Sequence, residues 1–185
     1  MKLDREGIVD AAFELLDEEG IKGLSLRKLA ARLGVQAPAI YWYIPNKAGL
    51  LRRMSARLTD GARQSCADQP DWRSWLIAYG RAVRTAFLAH RDSAKLYADA
   101  GSVPEDPGEI GDLIAAPLVA LGLSREDAIS YQGSVISLSL GWALFEQTPP
   151  MRDFLTAMMD LEKSFEEGLE AMVRGFSPGS PPHIS

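Results

Sequence analysis

Residues 24–51 read LSLRKLAARLGVQAPAIYWYIPNKAGLL. Ser25 stands where a helix N-cap belongs, and Leu26, Leu29, Ala30 and Leu33 follow at the spacing of an apolar helical stripe. Gly34 enters the left-handed region without steric cost and so ends a helix of about ten residues. Val35 and Gln36 make a turn. Pro38 suits the first turn of a second helix, where its missing N–H would be unpaired anyway, and Ile44-Pro45 stops that helix. Asn46 caps a further helix from Lys47 through Leu50, Leu51, Met54 and Leu58 towards Arg63. Two short helices about a tight turn, with Ala30 small where they cross and Ile40 packed from the second, form a helix-turn-helix pattern. A generic helical hairpin shares part of it.

Tyr41, Trp42 and Tyr43 pose a packing problem. Consecutive helical residues lie about 100° apart, so three rings in a row fan across most of the circumference and cannot share one stripe. At least one or two face outward. In a helix lying in the major groove, an outward Tyr hydroxyl reaches a phosphate and an outward ring meets a thymine methyl, while Pro38 and Ala39 are small enough to approach base edges. The competing reading makes Trp42 a core residue with the tyrosines at its rim. Lys47 is placed to meet a backbone phosphate, and of Arg27 and Lys28 in the preceding helix Arg27 is the better DNA candidate. Arg52, Arg53 and Arg57 fit a solvated face equally well.

Working outward, Asp4 caps a helix in which Ile8, Ala11, Ala12, Leu15 and Leu16 form the stripe, ending at Gly20. After a loop at 65–71, residues 72–90 read as one long buried helix, and another starts within 91–100. The stretch 101–108, GSVPEDPG, is a proline- and acid-rich break. Residues 109–121 are helical. Ser124, with Asp127 as capping-box partner, opens a helix to about Phe145, and a last one starts near Pro149-Pro150 and reaches Val173. With no sustained period-two alternation and no internal repeat, an all-α fold is expected.

The chain has 185 residues, 46% of them hydrophobic, which suffices for a proper core. Its single cysteine, Cys66, excludes an intrachain disulfide, no Cys/His cluster has zinc spacing, and no apolar run suits a signal peptide or a bilayer span. A cytoplasmic protein is expected. The net charge of −5 hides an asymmetry: residues 20–63 carry nine lysines and arginines against Asp60 alone. A basic patch on an acidic body suits a small module that meets phosphates. No nucleophile–base pair, phosphate-cradling glycine loop or paired catalytic carboxylates appear, so no enzyme is expected. A helical protein-binding adaptor is the remaining rival, and failure to bind DNA would favour it.

The 24–51 stretch resembles the DNA-binding domain of the tetracycline-repressor (TetR) family in its Gly-Val turn, its Tyr-Trp pair and the Asn-Lys that opens the next helix. The resemblance implies DNA contacts from Arg27, from Ala37, Pro38, Ala39, Tyr41, Trp42 and Tyr43, and from Lys47. Ala37 and Ala39 replace polar residues, which implies a different operator. AFLAHRDSAK at 86–95 and LSREDAISYQGSVISLSLGWALFEQ at 123–147 look like the ligand-binding segment and the long dimerisation helix of the tetracycline repressors proper. Tyr97 stands where those proteins use a histidine to hold magnesium, and Tyr79 replaces an asparagine that grips the drug. A metal-bound tetracycline is therefore not the expected inducer, no metal or cofactor is expected, and His90 is read as a helix-end packing residue.

Together these readings imply a helix-turn-helix domain at 1–46, a connecting helix at 47–63, a ligand-binding and dimerisation domain at 64–175 and a disordered tail at 176–185. Tyr79, Val83, Phe87, Tyr97, Ile136, Leu140, Trp142 and Phe145 are candidates to line an apolar pocket, though each alone is equally a core residue. The expected protein is a homodimeric, ligand-responsive repressor of a palindromic double-stranded operator, with no membrane partner. Its dimer contacts are expected from 124–145 and 151–173, through Val135, Leu138, Phe154, Leu155, Met158 and Phe165.

Overall fold

The structure is a computed structural model, and it describes residues 3–100 and 107–179. The described residues form ten helices and no strand, as the periodicity implies. They group into two compact units, Met1–Asp60 with Ala86–Val103, and Gly61–Thr85 with Pro104–Ser185.

In the first unit, α1 (Arg5–Gly23) is capped by Asp4, whose carboxylate accepts from the Gly7 N–H at 2.9 Å. The expected stripe of Ile8, Ala11, Ala12, Leu15 and Leu16 is buried, joined by Val9 and Phe13. The helix does not simply end at Gly20. There the backbone turns to φ +70° and then resumes for three residues, because the chain at 90–92 grips this corner. Asp92 Oδ2 accepts from the Ile21 N–H at 3.0 Å, the Arg91 N–H donates to Asp17 at 2.8 Å, and the Arg91 guanidinium donates to the Glu18 carbonyl at 3.2 Å. His90 stacks on Phe13 at 4.4 Å and holds Asp17 through Nδ1 at 2.8 Å. A Cβ on Gly20 would lie 2.7 Å from Asp92 Oδ2, so glycine is needed for both conformation and space. These bonds explain why 86–103 groups with the N-terminal helices, whereas a division at residue 63 assigns it to the second domain.

Next, α2 (Leu26–Arg32) starts at Ser25, whose hydroxyl accepts from the Lys28 N–H at 3.3 Å. It ends in a paired hydrogen-bond closure about Gly34 at φ +67°: the Val35 N–H donates to the Ala30 carbonyl at 3.0 Å and the Gly34 N–H to that of Ala31 at 3.2 Å. Then come α3 (Ala37–Tyr43) and α4 (Lys47–Gln64), the latter capped by Asn46 onto the Gly49 N–H at 2.8 Å. The segment 86–103 supplies the end of α5 (Trp72–Leu88), which stops two residues short of His90, and α6 (Ser93–Ala100).

In the second unit most of α5 packs with α7 (Pro107–Ala120), α8 (Arg125–Glu146), α9 (Pro149–Thr156) and α10 (Leu161–Gly175). Residues 101–106 of the expected break lie outside the described residues. The core is Trp75, Leu76, Tyr79 and Val83 against Leu118, Val135, Ala143, Phe165 and Leu169. Gly80 allows this approach, since a Cβ there would sit 2.8 Å from Leu169. Arg84 is buried over the Phe165 ring and held by both oxygens of Glu146, at 2.9 and 3.0 Å, and by Glu162. Burial pulls its guanidinium down, and the two carboxylates more than offset this, holding it above the usual arginine value.

Three expectations need correction. The helix expected over 151–173 is two helices, because Asp160 starts α10 by accepting from the Lys163 N–H at 3.0 Å. Val135 and Phe165 are fully buried within their own chain, so they are core rather than dimer contacts. The expected tail is packed at its start: Phe176 stacks on Tyr131 at 4.1 Å and the Gly179 N–H donates to Asp127 at 3.2 Å, while 180–185 lie outside the described residues.

Gly34→Ala is expected to destabilise the protein by about 1 kcal/mol, since a Cβ is strained in the left-handed region whatever the space around it. Urea unfolding measures it, and an unchanged midpoint would mean that the turn relaxes without loss.

Candidate nucleic-acid interface

The seven residues of α3 are positioned by two apolar anchors. Ile40 and, just past the helix, Ile44 are both 0% exposed. With Ile40 inward, the helical period turns its neighbours out: Tyr41 is 44% exposed and Trp42 is 86% exposed. Trp42 is thus not a core residue, and the competing reading of it falls. Tyr43, Ala37 and Ala39 are half-buried, and Pro38 is exposed. The eight residues named for DNA contact therefore include none that is fully buried.

Charge is organised more finely than the sequence count suggests. Lys28 pairs with Glu19, Arg32 with Glu14 at 3.2 Å and with Glu18, and Arg57 with Glu6 at 2.7 Å and Asp10 at 2.9 Å. Arg32 holds the Glu18 carboxyl below the usual carboxylate range by its hydrogen bond. Three of the nine basic residues of 20–63 are thus answered by the acidic face of α1, which that window leaves out. Arg27 is exposed and makes no ion pair among the described residues, and the exposed Lys47 donates only to the Ile21 carbonyl, at 3.3 Å. Those two positions, with Arg52 and Arg53 on α4, keep their charge for solvent or for phosphate. The acidic spacing at 14, 18 and 19 on α1 was the signal that separates Lys28 and Arg32 from Arg27.

The eight residues named for ligand binding divide between the units. Phe87 and Tyr97 belong to the first, where their rings lie 5.0 Å apart. Tyr79, Val83, Ile136, Leu140, Trp142 and Phe145 belong to the second. There Tyr79 stacks on Trp75 at 4.9 Å, Trp142 meets Phe165 edge-on at 6.4 Å, and Phe145 is 48% exposed at the end of α8. No helix among the described residues is long and apolar enough to cross a membrane.

A helix-turn-helix that turns aromatic rings outward beside available cations, followed by a separate helical unit, defines a DNA-binding regulator. Residues 8–54 match the family model of bacterial regulatory proteins, tetR family, and residues 66–155 match that of the tetracyclin repressor-like C-terminal domain. The chain is 36% identical to the class A tetracycline repressor protein from transposon 1721 of Escherichia coli, over 95% of this chain and 91% of that one. Its fold matches a TetR variant of Acinetobacter baumannii AYE in complex with minocycline, with TM-score 0.76 and 31% identity over 95% of this chain and 97% of that one. It also matches BioQ with its double-stranded DNA operator, with TM-score 0.69 and 30% identity over 94% and 98%. The chain belongs to the tetR family, and it is a ligand-responsive, DNA-binding transcriptional regulator rather than an enzyme.

Trp42→Ala is expected to leave stability within about 0.5 kcal/mol, as for other surface substitutions, while weakening operator binding about tenfold or more. Calorimetry and a DNA-binding titration on the same sample check this. A large fall in Tm would return Trp42 to the core.

Proposed function

We propose that this regulator is a homodimeric repressor that grips a palindromic operator with two copies of α3 and releases it when a small apolar or aromatic inducer binds. The observation that carries the DNA half is Trp42, an 86% exposed ring beside the exposed Tyr41, on a helix whose core contact is made by Ile40 alone. Rings that packing does not use are consistent with a groove-facing helix. Tyr41, Trp42 and Tyr43 then meet phosphates and thymine methyls, Ala37, Pro38 and Ala39 let the helix approach the bases, and Arg27 and Lys47 neutralise phosphates. Acting on DNA, the protein works in the cytoplasm.

The dimer forms through the outer face of α8. Ser130, Gly133 and Ser137 are exposed and Gly141 is half-exposed on that face. The hydroxyls of Ser134 and Ser137 are already satisfied, donating to the carbonyls of Ser130 at 3.0 Å and Gly133 at 2.8 Å. A helix face of small, self-satisfied residues lets a second copy pack closely without leaving polar groups unpaired. α10 completes a four-helix bundle across the two-fold axis.

For the inducer, Tyr79, Val83, Ile136, Leu140, Trp142 and Phe145 in the second unit supply apolar surface, and Phe87 and Tyr97 supply it in the first. The minocycline complex belongs to the relative. With tyrosines at 79 and 97, this chain favours an inducer held without a metal. Coupling is a population shift: an inducer that prefers the conformation with the wrong spacing of recognition helices weakens DNA binding by its differential affinity, with α4 as the lever.

Selection from a random double-stranded DNA pool with the full-length protein is expected to enrich a palindrome. Lys47→Ala should lower the salt dependence of its binding, the slope of log K against log salt shrinking by roughly 2 for the two subunits. An unchanged slope would remove Lys47 from the phosphate contacts. Ser137→Arg is expected to sediment as a folded monomer, and a persistent dimer would place the interface elsewhere.

A further inference from the structure

The outward face of α3 carries almost no hydrogen-bonding side chain. Ala37, Pro38 and Ala39 offer only methyl and methylene groups, Tyr41 and Tyr43 one hydroxyl each at the end of a rigid ring, and Trp42 a single N–H donor. A reader built from these alone recognises a thymine by its methyl and discriminates little else. One side chain at this turn carries a donor and an acceptor side by side. Gln36 immediately precedes α3 and is exposed. Its main chain is committed, the carbonyl accepting from the Ala39 N–H at 2.9 Å, yet its carboxamide makes no capping bond to the helix. The backbone is fixed and the amide is left outward, beside the residues that the groove-facing reading uses.

Base chemistry then selects the partner. Adenine presents an N7 acceptor and an N6 amino donor next to each other in the major groove, which match one carboxamide in both positions. Guanine presents two acceptors there, so the carboxamide oxygen would face O6 or N7 unpaired. Cytosine offers only a donor, and thymine only an acceptor beside a methyl.

We infer that Gln36 reads an adenine in each operator half-site, donating to N7 and accepting from the N6 amino group, with Ala37 and Ala39 against thymine methyls on neighbouring base pairs. The core of the half-site is therefore A·T-rich. This inference rests on the DNA-binding reading of α3 and deepens it by naming the sequence class that the helix takes.

The test uses the full-length wild type, Gln36→Ala and Gln36→Glu, each taken through the random-pool selection. Each is then titrated against the selected site carrying each of the four base pairs at the symmetric adenine position. The wild type is expected to prefer adenine there by roughly 5- to 150-fold, the discrimination of one bidentate pair. Gln36→Ala should bring the four bases near parity while keeping the wild-type affinity for non-specific DNA at low salt. Gln36→Glu should move the preference to cytosine, whose N4 amino group the carboxylate accepts from. Replacing the flanking thymines by deoxyuridine should weaken wild-type binding, and no effect would overturn the methyl contacts. Gln36→Ala that selects the same motif with the same base ratios, or that loses affinity equally for every sequence, overturns the adenine contact and makes Gln36 a bystander or a phosphate ligand. A wild type that enriches no motif at all overturns the DNA-binding reading itself, and this inference with it.

Discussion

The orientation of α3 depends on one backbone constraint, the left-handed residue at Gly34. With φ at +67°, the Val35 and Gly34 N–H groups close back onto the carbonyls of Ala30 and Ala31, and the chain leaves α2 in a fixed direction. That direction presents Ile40 and Ile44 to the core, where both lie fully buried, as do Leu29 and Ala30 of α2. Because the inward position belongs to Ile40, the period of the helix commits Tyr41 and Trp42 to the outside. The exposure of the two rings follows from that turn and from the two isoleucines, while Pro45 keeps α3 short.

The same unit shows why net charge is a poor guide to a partner. The chain is acidic overall, and the basic surplus of 20–63 is itself partly paired with α1. These exposed pairs contribute little stability individually. Their effect is to remove Lys28, Arg32 and Arg57 from the field that an anion meets, leaving Arg27, Lys47, Arg52 and Arg53 to meet it. A residue count over a window cannot register this, because Glu14, Glu18 and Glu19 sit one helix earlier in the chain.

The legible parts of the fold were those set by local rules. Asp4, Ser25, Asn46 and Ser124 each cap the helix that the sequence assigns to them, and the stripe of α1 is buried as its spacing requires. What escaped was long-range. Gly20 looked like a helix end but is a corner held by Asp92 from 72 residues further on, which no local rule signals. Val135 looked like an interface residue because α8 carries apolar side chains on one side and small residues on another, and periodicity alone cannot say which side meets the chain's own core. Gly80 settles it: the space left by its missing side chain is filled by Leu169 and Val135. Phe176 likewise read as tail because Pro and Gly follow it, yet a ring stacked at 4.1 Å on Tyr131 outweighs the composition around it.

Arg84 bears on how the second unit can change state. Its guanidinium joins Glu146, the last residue of α8, to Glu162, the second residue of α10, and it lies over the Phe165 ring. Glu146, itself largely buried and bound through both oxygens, is the partner this charge cannot lose, since a buried ion left without a carboxylate costs about 3–5 kcal/mol, whereas the mostly exposed Glu162 adds less. The same guanidinium links the end of α8 to the start of α10. In the segment between them, α9 has no buried residue, and Met151 and Phe154 on it and Met158 after it are exposed. The chain between the two carboxylates thus carries apolar side chains that the core of its own subunit does not bury, although α9 still packs on α8.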